Sequence, residues 1–356
     1  MPETRVARPT PLLLLIGVPV VAVLIAMAAM YIALVKGPAD AALKERTDLL
    51  LRLTLPQPVT NKLDPAYTDA DGDFVADPPT DPAKFVNPDT LRISYVATEE
   101  PEAFELAFAE FVANLARVTG KKVEYVPVKS ADEQLRGLRD GTLHLTGFNT
   151  GNVPRAVNVA GFVPLAVLGD AAGDFRHRSL IVVPAKSEVT SLAGLKGREL
   201  WLTEPGSNSG YRSPLLLMRA AGLLPERDYL LRYSGGHDGS IERIASGEAV
   251  AAGVASDVLA RAVARGVIGA EGAGYRVLDK SEAFPSAAMG YPHDLDPALV
   301  AKIRTANLDF NWAGTALEKE FAASGKTKFV PVNYKDDFAL VRKIDDDTGT
   351  KHTTPR

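Results

Sequence analysis

The chain contains no cysteine. That excludes disulfides, thiol catalysis, cysteine-ligated metal sites and a lipid-modified N-terminal cysteine. It assigns no compartment, because proteins outside the cytoplasm often lack disulfides too. An excess of either charge is also missing. Lys and Arg number 40 against 44 Asp and Glu, a formal net charge of -4, with the basic residues dispersed, so nucleic acid is not an expected partner. Nor is there a nucleophile elbow, a Walker A loop or an HExxH pair. A catalytic reading would have to rest on His237, Asp238 and scattered serines, and the expectation is that the protein is not an enzyme.

What is present begins with a long apolar run. Leu12 to Val35 is almost wholly apolar and about as long as the ~20 residues that cross a bilayer. Arg5 and Arg8 precede it and Lys36 follows, so the positive-inside rule keeps the N-terminus cytoplasmic and exports the rest. A cleaved signal peptide is the rival reading, with Ala26-Met27-Ala28 as the small-residue cleavage site. The apolar stretch continues past that point, which favours a retained, single-pass anchor. Either way the globular part lies on the extracytoplasmic side.

The 356 residues suffice for two globular units of ordinary size beyond that run. Residues 1–36 are expected to be a cytoplasmic stub and transmembrane anchor, and 37–90 a spacer. The spacer opens with a short helix over 37–55 and then becomes rich in Pro and Asp without a clear period. Within it, Asp69, Asp71, Asp73 and Asp77 are spaced so that their carboxylates could wrap a calcium ion, a hard cation taking about six to eight oxygens. The spacing resembles the aspartate repeats of thrombospondin type 3 modules. It departs from the EF-hand loop, with Phe74 where that loop needs Gly and no Glu in its last position. A solvated acidic linker with no cofactor is the plainer alternative.

From Leu91 onward the pattern alternates. Strands are expected at Leu91–Thr98, Val123–Val128, Leu143–Phe148, Phe162–Leu168 and Leu180–Val183, with helices at Glu102–Val118, Asp132–Leu138 and Asn152–Val159. A second block follows, with strands at Leu200–Thr203, Tyr229–Tyr233 and Val250–Ala255, each preceding an amphipathic segment. Alternation implies an α/β architecture with mostly parallel sheets and flanking helices. The expected division is 91–183 and 284–344 in one lobe and 184–283 in the other. A hinged cleft would lie between them, and 345–356 would be a disordered tail.

Three polar turns sit where a strand hands over to a helix: Ser207-Asn208-Ser209-Gly210-Tyr211, Gly235-Gly236-His237-Asp238 and Ser256-Asp257. A helix start offers unpaired amides and the positive end of a dipole, so it attracts anions. Each turn also reads as an ordinary helix cap. His237 can donate to an anion and is expected to be charged beside one. Asp257 repels an anion unless a proton lies between them. A phosphate, phosphite or phosphonate monoanion keeps such a proton, while a sulfate or sulfonate does not. Asp257 would then select phosphorus oxyanions by penalising sulfur ones. Tyr95 and Thr150, at the ends of expected strands in the first lobe, are candidates for the opposite wall, although Tyr95 reads equally as a core tyrosine.

Several of these segments together carry a resemblance. They are Thr190 to Gly197, Ser207 to Tyr211, Ser234 to Asp238, Ser256 to Leu259, and Phe329 to Tyr334 with Asp337 and Arg342. In order and spacing, residues from about Leu91 to Ile344 resemble the substrate-binding proteins of phosphate, phosphite and phosphonate ABC transporters, which are type 2 periplasmic binding proteins. The resemblance implies a two-lobe fold and capture of a small phosphorus oxyanion for an ABC permease. It implies ligand contacts at Ser207, Asn208, Ser209, His237 and Asp257, with Gly210 and Tyr211 in the same turn and Tyr95 and Thr150 opposite. Asn208 stands where family members often have Thr. The alternative function is a membrane-tethered module that reports a ligand to a signalling partner.

Overall fold

The computed structural model describes residues 27, 30–55, 57–59, 61–96 and 101–355. The described residues up to Thr54 form one compact unit and those from Leu55 another. In the first, a π turn (Ile32–Lys36) runs into the helix Gly37–Thr54. Most of the expected membrane-spanning run, including 12–26, lies outside the described residues. Among the described residues no helix is long and apolar enough to cross a membrane.

The second unit contains β1 (Thr90–Ser94), β2 (Lys122–Tyr125), β3 (Leu145–Phe148), β4 (Phe162–Gly169), β5 (Arg176–His177), β6 (Ser179–Pro184), β7 (Glu199–Leu202), β8 (Leu230–Tyr233), β9 (Ala252–Ala255), β10 (Tyr275–Lys280), β11 (Phe284–Pro285), β12 (Ala288–Pro292) and β13 (Lys328–Pro331). One sheet has the order β13-β4-β12-β3-β1-β2 and the other β10-β6-β9-β7-β8. These are the two lobes. β5 and β11 pair antiparallel to each other, Phe284 opposite His177 and Pro285 opposite Arg176, and are the two chain crossings between the lobes.

Parallel pairing is found where a helix returns the chain between strands. β1 is parallel to β2 and β3, and β7 to β8 and β9. The remaining strands are antiparallel, so each sheet is mixed rather than mostly parallel. β12 arrives from the crossing without a returning helix and inserts antiparallel between β3 and β4. β6 likewise runs antiparallel to β9 and β10.

Apolar side chains cover both faces of the first sheet. Leu91, Ile93, Phe108, Phe111, Ile303 and Trp312 pack on one, and Leu135, Phe148, Val157, Phe162, Val341 and Ile344 on the other. The second lobe closes over Val182, Ile241, Ile244, Val254 and Leu259. The helix expected over 102–118 is two, Pro101–Ala107 and Ala109–Thr119, because Phe108 leaves helical geometry (φ -90°, ψ 1°).

Three further boundaries differ from expectation. The strand 179–184 belongs to the second sheet, so the first crossing precedes it at β5 rather than following residue 183. Most of the stretch 56–90 is not a free spacer. The Asp64 amide donates to Asn158 O (2.7 Å) and the Val86 amide to Asp294 O (2.8 Å). Tyr67 meets His293 edge-on at 4.9 Å, and Asn61 donates to Arg342 O (2.9 Å). Polar backbone without a regular period is held here by scattered bonds to the first lobe, which no periodicity reveals. The tail is also ordered as far as it is described. Asp345 is fully buried inside the helix Ala339–Asp347, and His352 bonds back to it (3.0 Å).

Candidate oxyanion site between the lobes

The carboxyl ends of β1, β3, β7, β8 and β9 converge on one cavity between the sheets, the usual ligand position in open α/β folds. Its volume is about 50 Å³, room for roughly three to five water-sized atoms. Its walls include Tyr95 and Thr150 from the first lobe and Ser207, Asn208, Ser209, His237 and Asp257 from the second. Sequence reasoning named these seven. Of the other two in the same turn, Gly210 sits behind the cavity wall and Tyr211 stacks on Tyr233 (6.0 Å) away from it.

The first turn is built around Ser207. Its Oγ accepts from the Gly210 amide (3.0 Å) as an N-cap, which leaves the hydroxyl proton for another acceptor. A π turn, Asn208–Arg212, then enters the helix Ser213–Ala220. Gly210 admits no larger residue, since a Cβ there would press into Thr203 and the His237 ring. Asn208 is 1% exposed, and neither its Nδ2 nor its Oδ1 has a hydrogen-bond partner among the described residues. His177 Nδ1, Thr203 Oγ1 and Ser286 Oγ, on the same cavity, are likewise buried without one. Buried polar atoms left in this state are uncommon and costly. Four residues carrying them surround one small cavity.

His237 is held in a defined state. The Ala255 amide donates to its Nδ1 (3.2 Å), so the ring proton sits on Nε2. Nε2 lies 3.5 Å from both Ser207 Oγ and Ser209 Oγ, too far for a strong bond, and keeps its proton available. Burial pushes the His237 pKa down to about 4 despite the nearby Asp257. In the ligand-free protein His237 is therefore a neutral N–H donor, while the expectation of a charged histidine concerns the ring with an anion beside it. Burial also lowers His177.

Asp257 opens the helix Ser256–Ala264. Burial raises its pKa, but His177, Arg261, His237 and the Val258 amide (3.0 Å) together outweigh this and hold it below the usual range. Since both histidines are neutral near pH 7, Arg261 is the charge in that set that persists. Glu204 shows the opposite balance. Burial raises it above the ordinary carboxylate range despite the Arg212 charge and the Gly206 and Ser207 amides.

Thr150 lines the cavity as expected and also has a bond across to the crossing strand. Its hydroxyl donates to Pro285 O (2.9 Å), which ties the β3 end to the crossing strand and leaves only lone pairs toward the cavity. Tyr95 is 3% exposed and packs on Phe104 (4.9 Å) and Phe108 (4.7 Å). Core tyrosine and cavity wall are thus one residue.

The sequence reading missed His177, Glu204, Arg261, Ser286 and Lys326 on this cavity. Arg261 was recoverable, since it lies four residues after Asp257 on one helix and so shares its face. His177 and Lys326 lie outside any motif. Lys326 Nζ is bound to the Asp174 carbonyl (3.1 Å) near the crossing. Away from the cavity, carboxylate oxygens of Asp69, Asp71 and Asp73 lie within 4.8 Å of one another. Asp77 instead accepts from the Ala70 amide (2.9 Å).

A family model described as the periplasmic substrate-binding protein of a phosphonate ABC transporter matches residues 93–338. The phosphate-import protein PhnD of Mycolicibacterium smegmatis is 27% identical over 173 residues, covering 45% of this chain and 53% of that protein. The chain thus spans about half the length of this curated relative. Among solved structures, a binding-protein component of an ABC phosphonate transporter from Pseudomonas aeruginosa has a TM-score of 0.62 at 17% identity, covering 72% of this chain and 85% of that one. PhnD1 of Prochlorococcus marinus, solved in complex with methylphosphonate, has a TM-score of 0.61 at 16% identity, covering 73% and 98%. At such identities the two structures show a common α/β two-lobe fold.

Proposed function

The chain belongs to the family of periplasmic substrate-binding proteins of phosphonate ABC transporters, and from that premise we propose that it captures a small phosphorus oxyanion between its lobes and delivers it to an ABC permease. The observation that carries this reading is the set of buried polar atoms on Asn208, His177, Thr203 and Ser286, without hydrogen-bond partners among the described residues, around a cavity of about 50 Å³. A tetrahedral oxyanion would satisfy them together with the hydroxyls of Ser207 and Ser209 and Nε2–H of His237. Asp257, kept ionised, accepts the proton that a phosphate, phosphite or phosphonate monoanion retains, and the same carboxylate repels sulfate. No covalent step is needed.

The same reading places the globular part outside the cytoplasmic membrane, tethered through the apolar run 12–35. Its support is the length of that run and its flanking Arg5, Arg8 and Lys36. Calcium at Asp69, Asp71 and Asp73 belongs to this proposal only as a separate expectation, to be tested by a calcium-dependent thermal shift.

Titration calorimetry on the full chain with methylphosphonate, phosphite, phosphate and sulfate tests the site. At least one phosphorus oxyanion is expected to bind and sulfate to fail. Ser207→Ala should weaken binding by roughly 10–150-fold, the loss of about 1.5–3 kcal/mol in a charge-assisted hydrogen bond. Equal affinity in parent and variant would remove the proposed site.

A further inference from the structure

The ligand turn ends at Arg212, and this residue has no place in the oxyanion site. Its guanidinium is 5% exposed and reaches out of the second lobe. Nη1 donates to Gly151 O (2.7 Å), in the loop after β3 of the first lobe, and to Asp345 Oδ1 (2.6 Å). Asp345 is fully buried in the helix Ala339–Asp347, whose Val341 and Ile344 pack among Phe148 and Phe162 of the first lobe. The pair therefore spans the cleft.

Asp345 is held from its other side too. Asn158 Nδ2 donates to His352 Nδ1 (2.6 Å), which leaves the His352 proton on Nε2, and Nε2 donates to Asp345 Oδ2 (3.0 Å). Around this centre the last residues are fastened to both lobes. Arg155 of the first lobe donates to Thr353 O (2.9 Å), and Arg219 of the second donates to Asp347 O (3.1 Å). The two lobes approach closely here, since a Cβ on Gly151 would run into the backbone of Gly206 and Asn208.

We propose that Asp345–Thr353 is a clasp that holds the lobes closed and positions the ligand turn through Arg212. A buried charge pair has a strong dependence on its geometry, because either charge left alone in the interior is expensive. Opening the cleft draws Arg212 away from Gly151 O and Asp345 together. The clasp thus makes the closed form more populated before any ligand arrives. The apparent dissociation constant rises in inverse proportion to the closed fraction, so residues that never touch the ligand set its affinity. This rests on lobes that hinge and not on which oxyanion is bound.

The test exploits the absence of cysteine. Ala113→Cys and Ala245→Cys, on exposed helix positions of the two lobes, take spin labels with no competing thiol. Distance distributions are measured without ligand in the parent, in Asp345→Asn and in a chain truncated after Lys351. Methylphosphonate affinity is measured alongside. The parent is expected to hold a short-distance population that both variants lose in part, with methylphosphonate bound about tenfold more weakly by Asp345→Asn. Should Asp345→Asn not fold, the truncation, which leaves the Arg212 pair in place but removes His352, is read in the same way. Unchanged distances and unchanged affinity in a folded variant overturn the clasp. If the parent binds no oxyanion at all, the functional reading fails while the distance measurement still decides the clasp.

Discussion

In the proposed function Asn208 places stability and ligand binding in opposition at one residue. Its carboxamide is buried without partners among the described residues, a penalty of about 1–3 kcal/mol in the ligand-free protein. Asn208→Ala is therefore expected to leave the ligand-free chain as stable or more stable in a denaturant titration, while oxyanion affinity falls at least tenfold. A loss of both would make Asn208 a structural residue. In the proposed function Asp257 acts on selectivity. Asp257→Asn removes the negative charge, and sulfate binding should appear in calorimetry where the parent shows none. His237 acts on pH dependence. Its folded pKa of about 4 lies below the unfolded value, so protons bind more readily to the unfolded chain. Its contribution is complete above about pH 6.5 and is lost as pH falls through about 4. His177, lowered in the same direction, adds to it. The ligand-free melting temperature should drop between about pH 6.5 and 4, and His237→Asn should flatten part of that slope. The residue types of this site were legible in the sequence because short polar turns after apolar strands name their own helix caps. The protonation state of His237 was not, because it is fixed by a backbone amide from a different strand, Ala255.

At the scale of elements, the cavity depends on the strand ends being held in register. Gln134 does this for the first lobe. Its Nε2 shares two hydrogens among Thr146 Oγ1 (2.7 Å), Gly147 O (2.9 Å) and Tyr95 O (3.1 Å), and Thr146 Oγ1 shares a hydrogen with Ser94 Oγ (2.6 Å). A single buried carboxamide thereby joins the ends of β1 and β3, the two strands that deliver Tyr95 and Thr150 to the cavity. Gln134→Leu should cost about 1–3 kcal/mol, because the carbonyls and hydroxyls it leaves behind are buried, and a shift in urea midpoint with unchanged slope checks this. The Asp132–Leu138 helix pattern was plain in the sequence, yet the polar Gln134 on its buried face was not singled out. A polar residue in an apolar stripe is a signal for such a network, but its partners become visible only when β1 and β3 are side by side. The same holds for strand direction. Periodicity located the strands, whereas the antiparallel insertion of β12 follows from the crossing at β11, a tertiary event.

At the scale of the molecule, the two-lobe plan was legible because its alternation of strand and helix repeats in two blocks, and a second block of that kind demands its own sheet. The extent of the first lobe was less legible. Residues 61–86 carry Pro and Asp in place of a periodic apolar face, and their attachment is by bonds to positions more than 90 residues away, as from Asp64 to Asn158 and Val86 to Asp294. Val75 is nevertheless buried among Leu135, Val153 and Phe162. What remains of the expected spacer is the 18-residue helix Gly37–Thr54. Native-state hydrogen exchange separates the two descriptions. The amides of Asp64 and Val86 should be protected to a degree comparable with the strands of the first lobe, since opening them requires displacing the segment from the body. An unattached spacer would exchange both at the rate of an unstructured peptide. If protection is found, Val75→Ala should lower it at Asp64 and Val86 together, because a buried valine side chain contributes about 1.5–3 kcal/mol to holding the segment down.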